Sequence, residues 1–140
     1  MIEFTETATV QAAVPDVAEV LRAVERWPSW NAAVSRVDRH DSGPLAVGST
    51  ATVKQPRLLP AKWTVTRLDE TGFTWVSDSL GVHSTGEHWA GKADGGLATV
   101  TLTLGLSGPL ARVVGVLYGR LIRRYLSMEA DGLRQAVEGR

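Results

Sequence analysis

The sequence predicts an α+β protein in which an antiparallel sheet curves around one long C-terminal helix. Three observations carry this reading. Gly108 to Glu138 is a single helix-compatible run that opens on Gly108-Pro109 and contains no second proline. About thirty residues at ~1.5 Å each would make a rod of about 45 Å. Before it, Val34 to Leu106 is a succession of alternating segments broken by turn residues. Two short helical stretches sit between the first alternating segment and the rest, so the order is strand, two short helices, about six strands, long helix.

The elements follow in order. From Ile2 to Ala12, Ile2, Phe4, Ala8, Val10 and Ala12 share one face, and Glu3, Thr5, Thr7, Thr9 and Gln11 the other, as in a half-buried strand. Glu6 breaks the pattern on the apolar face; an edge position or a basic partner would account for it more simply than a cavity role. Pro15-Asp16 starts a short helix with Val17, Val20, Leu21 and Val24 on one side, and Pro28 ends it. Trp27-Pro28-Ser29-Trp30-Asn31 begins a second short piece reaching about Val34, in which both tryptophans are read as structural anchors. Strands are expected at Val34–His40, Ser49–Gln55, Lys62–Leu68, Phe73–Ser77, Val82–Lys92 and Leu97–Leu106. Regular hairpin spacing makes the sheet antiparallel, with one solvated face.

On the final helix, Leu110, Val114, Leu117, Tyr118, Leu121, Ile122, Tyr125, Leu126, Met128 and Leu133 fall within one half of the wheel. Gly115 and Glu129 lie inside that half, and Gly119 at its edge. A helical glycine costs about 0.8–1.0 kcal/mol relative to alanine, so two within one turn need a reason. Either the backbone packs closely on another element there, or the missing side chains leave ligand space; the second is expected at Gly115. A carboxylate in Glu129's position needs a partner. An arginine or the first-turn NH groups of a short helix would make it structural; a raised pKa would make it a proton-transfer group.

Composition narrows the function. At 140 residues the chain is expected to form one domain, residues 1–140, with a real core. Lys+Arg and Asp+Glu balance at 15 each, so bulk charge suggests neither nucleic acid nor an acidic membrane as partner, and Arg123-Arg124 is too narrow a basic feature to make a nucleic-acid footprint. There is no cysteine to form a disulfide or a thiolate metal site. No apolar run reaches a membrane span, and the first residues do not read as a secretion signal. A cytoplasmic location without integral membrane contact is therefore expected. H-E-x-x-H, G-x-S-x-G and G-x-G-x-x-G are absent, and Gly86 to Lys92 matches a phosphate-loop spacing without its Ser/Thr or its helix. No metal and no cofactor is called for.

The order of elements, together with AAVPDVAEVLRAVERWPSWN, VGSTATVKQP, FTWVS, GEHWAGKADGGLATVTLTL and SGPLARVVGVLYGRLIRRYLSMEADGL, resembles the helix-grip superfamily of START-like proteins. The similarity is greatest to its polyketide cyclase/dehydrase and lipid-transport (SRPBCC) branch. It covers nearly the whole chain and implies a cavity between sheet and long helix that holds an apolar small molecule.

Within that frame Trp63, Phe73 and Trp75, at inward parity on neighbouring strands, are candidates for core and ligand wall alike. Tyr118, Ile122 and Tyr125 would complete the wall from the helix. His83 and His88 are five apart, hence on opposite faces of a strand and unable to share a metal without a bulge at Gly86. Their orientation depends on the hairpin at Asp94-Gly95-Gly96. A two-residue turn, which the residues alone favour slightly, points Glu87 and Trp89 inward; a three-residue loop pairs His88 with Leu102 and points His88 inward. The family's usual apolar residue at the position of Ala90 implies the second, with Ser84, Gly86 and Ala90 leaving room around His88. Gln55 to Pro60 is a proline-stiffened loop in which Leu58 and Leu59 would form a lid or fold over the core, with Arg57 a possible polar contact. Three functions stand: binding of a hydrophobic or amphipathic small molecule; a cyclase or dehydratase using His88 or Glu129 as base; and an interaction module using the Leu58-Leu59 loop.

Overall fold

A computed structural model describes residues 1–79 and 81–139. Seven strands form one antiparallel sheet: β1 (Ile2–Val10), β2 (Arg36–Arg39), β3 (Thr50–Lys54), β4 (Ala61–Asp69), β5 (Gly72–Ser79), β6 (Val82–Lys92) and β7 (Ala98–Ser107). Their spatial order is β1-β7-β6-β5-β4-β3-β2, so every neighbour except β1–β7 is also a neighbour in sequence. Helix α1 (Val14–Arg22) and a 3₁₀ segment (Val24–Ser29) follow β1, and α2 (Ala111–Glu138) closes the chain. The α+β architecture is the predicted one.

The alternation along β1 and β7 becomes burial. Phe4 and Val10 on β1, and Val100, Leu102 and Leu106 on β7, are buried while the intervening threonines face outward. Pro15 occupies the first turn of α1, whose Val17, Ala18 and Leu21 are fully buried. The helix ends at Arg22, before the predicted stop; the 3₁₀ segment occupies 24–29, and Pro28 lies within it. Trp27 anchors this corner by donating its indole N–H to the Leu21 carbonyl at 3.0 Å.

The arc of α2 that meets the sheet differs from the predicted one. Ala111, Gly119, Tyr125, Glu129, Ala130, Leu133 and Val137 are buried, whereas Leu110, Leu117 and Tyr118 are exposed. Small residues explain the rotation. Ala111, Gly115 and Gly119 form a row at four-residue spacing that packs against the side chains of β1. A Cβ at Gly115 would stand 3.3 Å from Ile2 Cδ1, and one at Gly119 would stand 3.6 Å from Phe4 Cε1. Neither glycine lines a cavity, so the space expected at Gly115 is filled by β1.

A third helical glycine makes the tightest approach. A Cβ at Gly132 would lie 2.0 Å from the carbonyl oxygen of Trp30, closer than any non-bonded pair tolerates. Gly132 thereby seats α2 on the segment that follows the 3₁₀ turn. This brings Asn31 and Glu129, 98 positions apart, into contact.

Candidate functional site

Sheet and α2 enclose a cavity of about 110 Å³. Its apolar wall includes Trp27, Trp63, Trp75, Leu58, Ile122 and Tyr125, and both His88 and Glu129 reach it. The aromatic residues are mutually braced. Trp75 stacks on Trp63 at 5.5 Å between ring centroids and meets Trp27 edge-on at 5.3 Å. Gly86 makes this packing possible, since a Cβ there would stand 3.1 Å from the Trp75 indole. The room that Gly86 leaves is thus taken by a tryptophan.

The β6–β7 hairpin has the three-residue connection that the family resemblance implies, not the two-residue turn that the residues alone favour. His88 pairs with Leu102 and Ala90 with Val100, and both side chains are buried. Trp89 lies on the other face, its ring under the Arg67 guanidinium and its indole N–H on Thr74 Oγ1. His88 stacks on Phe73 at 4.7 Å and lies 5.0 Å from the Trp27 ring. Burial among these rings drives its pKa down to about 3, against an opposing influence from the Phe73 backbone. His88 is therefore a neutral imidazole at physiological pH.

Glu129 enters the same space from α2. Its Oε1 accepts a hydrogen bond from Asn31 Nδ2 at 2.9 Å, and its Oε2 lies 3.6 Å from His88 Nε2. Burial pushes its pKa up to about 7, with the Asn31 bond pulling the other way. Because His88 is neutral, the 3.6 Å contact is not an ion pair. Glu129 Oε2 and His88 Nδ1 are both buried without a hydrogen-bond partner among the described residues. Asn31 is itself locked, its Oδ1 accepting from the Ala33 N–H at 2.9 Å in an Asx-type turn. The partner of Glu129 is thus an asparagine, not the arginine or helix N-terminus expected from the sequence.

The β3–β4 loop contributes one leucine and withholds the other. Leu58 lines the cavity, whereas Leu59 is 87% exposed. The loop is fastened: the Tyr125 hydroxyl donates to the Pro56 carbonyl, and Lys54 Nζ donates to the carbonyls of Gln55 and Leu58. Arg57, at φ 69°, is exposed and does not line the cavity.

The structure therefore gathers Trp63, Trp75, His88, Ile122, Tyr125, Leu58 and Glu129 around one space. It does not bring Tyr118, Arg57 or Leu59 to that space. Phe73 is fully buried behind His88 and supports the wall from the core. Glu6 is half-buried opposite Leu102 and stands away from the cavity lining. His83 lies outside it too, at 2.6 Å from Asp78 on an exposed hairpin. Among the described residues no cluster of His, Cys, Asp or Glu could hold a metal ion.

Several site residues escaped the sequence reading, among them Val34, Val53 and Gln55 of the cavity lining, Trp27 and Asn31. Trp27 serves as both structural anchor and cavity wall. Asn31 was visible within the WPSWN stretch, but nothing local announces a contact with position 129.

A sheet that grips one long helix, with an apolar cavity between them, is the helix-grip class. Residues 1–138 match the family described as polyketide cyclase / dehydrase and lipid transport, and the chain belongs to it. Solved structures of the same fold include the Zhui aromatase/cyclase from a Streptomyces species, at 18% identity and TM-score 0.78 over 98% of this chain and 93% of that one. A hypothetical protein from Helicobacter pylori gives 12% identity and TM-score 0.82 over 97% and 88%. A norcoclaurine synthase point mutant from Thalictrum, in complex with a transition-state analogue, gives 14% identity and TM-score 0.74 over 97% and 93%. Comparison with curated proteins gives no match.

Proposed function

We propose that the protein binds a hydrophobic or amphipathic small molecule in the cavity between sheet and α2. The observation that carries this reading is a pair of buried polar atoms without partners, Glu129 Oε2 and His88 Nδ1, on residues that reach an apolar, tryptophan-rich cavity. Leaving such atoms unpaired costs about 1–3 kcal/mol each, and a ligand with one hydrogen-bonding group on an apolar body would recover part of that. Ligand pockets usually measure about 300–1,000 Å³. A cavity of about 110 Å³ suits one ring or one head group, with the remainder of a larger ligand extending past Leu58 and Ile122.

The test is titration with fluorescent apolar probes of graded size. Saturable binding of about one probe per chain, with quenching of tryptophan emission, is expected because Trp27, Trp63 and Trp75 line the space. His88→Ala should weaken probes bearing a carbonyl or hydroxyl more than pure hydrocarbons. Absence of saturable binding at every size defeats the reading.

A second reading, an acid–base enzyme of the cyclase or dehydratase type acting on an apolar or aromatic substrate, rests on the 3.6 Å approach of Glu129 to His88. Glu129, whose pKa of about 7 leaves part of it ionised at neutral pH, can take a proton from a carbon beside a carbonyl. His88, with its pKa of about 3, is too weak a base and serves as a neutral hydrogen-bonding group. The protonated Glu129 carboxyl can deliver a proton to the carbonyl oxygen or to a departing hydroxyl. The aromatase/cyclase and norcoclaurine synthase of the same fold lend this reading support. Glu129→Gln should then abolish turnover of a poly-carbonyl substrate while leaving probe binding intact. Unchanged turnover rejects Glu129 as the acid–base group.

A further inference from the structure

The exposed apolar side chains are not scattered. Of the eight large hydrophobic residues exposed among the described residues, five (Leu110, Val113, Val116, Leu117 and Tyr118) lie within nine positions at the start of α2. Val116 and Leu117 are 82% and 72% exposed. At 100° per residue, Val113, Leu117, Arg120 and Arg124 fall within about 60° of one another, on the side of the helix opposite the buried stripe. Arg112, Arg120 and Arg124 are exposed and have no ion pair among the described residues. No Asp or Glu occurs between Gly108 and Met128. The second half of the helix is different in kind: there Asp131, Arg134, Gln135 and Glu138 face outward. A helix that presents leucine, valine and arginine together on its solvent side for half its length, and ordinary mixed charge for the rest, has an unpartnered face with a boundary.

We propose that this face, the outward side of residues 110–124, docks the protein on an anionic lipid surface. The chemistry selects that occupant. Apolar side chains enter the boundary between head groups and acyl chains, and arginines beside them meet lipid phosphates. A second copy of the chain is a poorer fit, because a two-fold contact through this face would set arginines against their own equivalents. Location adds a further reason. Tyr118 is one turn before the cavity-lining Ile122, and the exposed Leu59 adjoins the cavity-lining Leu58. The elements that would touch lipid are thus continuous with the cavity wall, and an apolar ligand could pass between them without crossing much water. Docking does not depend on that passage, and it can be tested whether or not the cavity binds anything. No helix among the described residues is long and apolar enough to cross a membrane, so the contact is peripheral.

The experiment is co-sedimentation of the full chain with vesicles of phosphatidylcholine alone and of phosphatidylcholine mixed equally with phosphatidylglycerol. Partition onto the mixed vesicles only, weakening as salt is raised, is expected. Arg120→Gln and Arg124→Gln should each weaken it roughly fivefold, the equivalent of ~1 kcal/mol per basic residue near the surface. Val116→Asp with Leu117→Asp should abolish it while circular dichroism and thermal midpoint stay at wild type, since both side chains are exposed. Failure to bind mixed vesicles overturns the proposal. So does equal binding to neutral vesicles, or retention by a folded Val116→Asp/Leu117→Asp protein. A dimer in light scattering that these aspartates dissolve, without vesicle binding by the wild type, would reassign the face to self-association.

Discussion

Replacing Glu129 by glutamine should stabilise the protein in alkaline solution and leave it nearly unchanged in acid. Moving a carboxyl from its ordinary 4.5 to about 7 on folding means that the ionised form is disfavoured in the native state by about 3 kcal/mol, at ~1.36 kcal/mol per pH unit. The sign follows from proton counting. Below pH 4.5 both folded and unfolded chains hold the proton, and Glu129 costs nothing. Between 4.5 and about 7 the unfolded chain has lost it while the folded chain keeps it, so stability falls as pH rises. Above about 7 the loss is complete. Glutamine carries no such proton. Its Oε1 can still accept from Asn31 Nδ2, so the bond seen at 2.9 Å survives.

His88 acts in the other direction. Its pKa falls from 6.5 to about 3, so its contribution is present above pH 6.5 and is lost as pH falls toward 3. The wild type should thus be most stable between about pH 4.5 and 6.5, where the two effects oppose each other. Glu129→Gln should instead rise to a plateau above pH 6.5. The assay is urea denaturation of both proteins at pH 4, 5.5, 7 and 9, with the slope of each transition checked for constancy. A midpoint difference that grows with pH to about 3 kcal/mol in favour of glutamine is expected. Glutamine less stable than glutamate at pH 9 would refute the argument, because it would show that the buried carboxylate is a paired structural ion whose removal costs stability.

The glycines of α2 should respond in opposite ways. Gly132→Ala forces a methyl to 2.0 Å from the Trp30 carbonyl and should cost about 3 kcal/mol or more, whereas Gly119→Ala meets its neighbours at 3.6 Å and should gain up to about 1 kcal/mol in helix propensity. Thermal midpoints decide both, and a stable Gly132→Ala protein would mean that α2 does not sit where the geometry places it. Asn31→Ala removes the hydrogen bond to Glu129 and the acceptor for the Ala33 N–H, so a loss of about 1–3 kcal/mol per orphaned group is expected. The loss should be larger at pH 8 than at pH 5, because an ionised Glu129 needs Asn31 more; equal losses would show that the two residues are not coupled.

Much of the fold was legible because it is written in short-range periodicity. Val100, Leu102 and Leu106 alternate with threonines and glycine on β7, and the β6 boundaries Val82 and Lys92 follow from local turn residues alone. Trp63 and Trp75 could be placed inward by parity, since a strand has only two faces. The β6–β7 register was not legible locally: the turn residues slightly favoured a two-residue connection, and only the family resemblance pointed to the three-residue one. Only the pairing of His88 with Leu102 decides it.

What the tertiary structure alone settled is which arc of a one-dimensional pattern meets another element. A helical wheel counts leucines; it has no knowledge that the sheet prefers the thin edge of α2, where Ala111, Gly115 and Gly119 pack against side chains of β1. Hence Leu117 and Tyr118 lie outside and Glu129 inside. The meeting of Asn31 with Glu129 depends on Gly132 against Trp30, a contact set by space and not by any local preference. Burial then makes the chemistry: an ordinary glutamate becomes a carboxyl that titrates near neutrality, and an ordinary histidine a neutral ring, because desolvation belongs to the packed interior. The residue types were in the sequence; their dielectric surroundings came only with the fold.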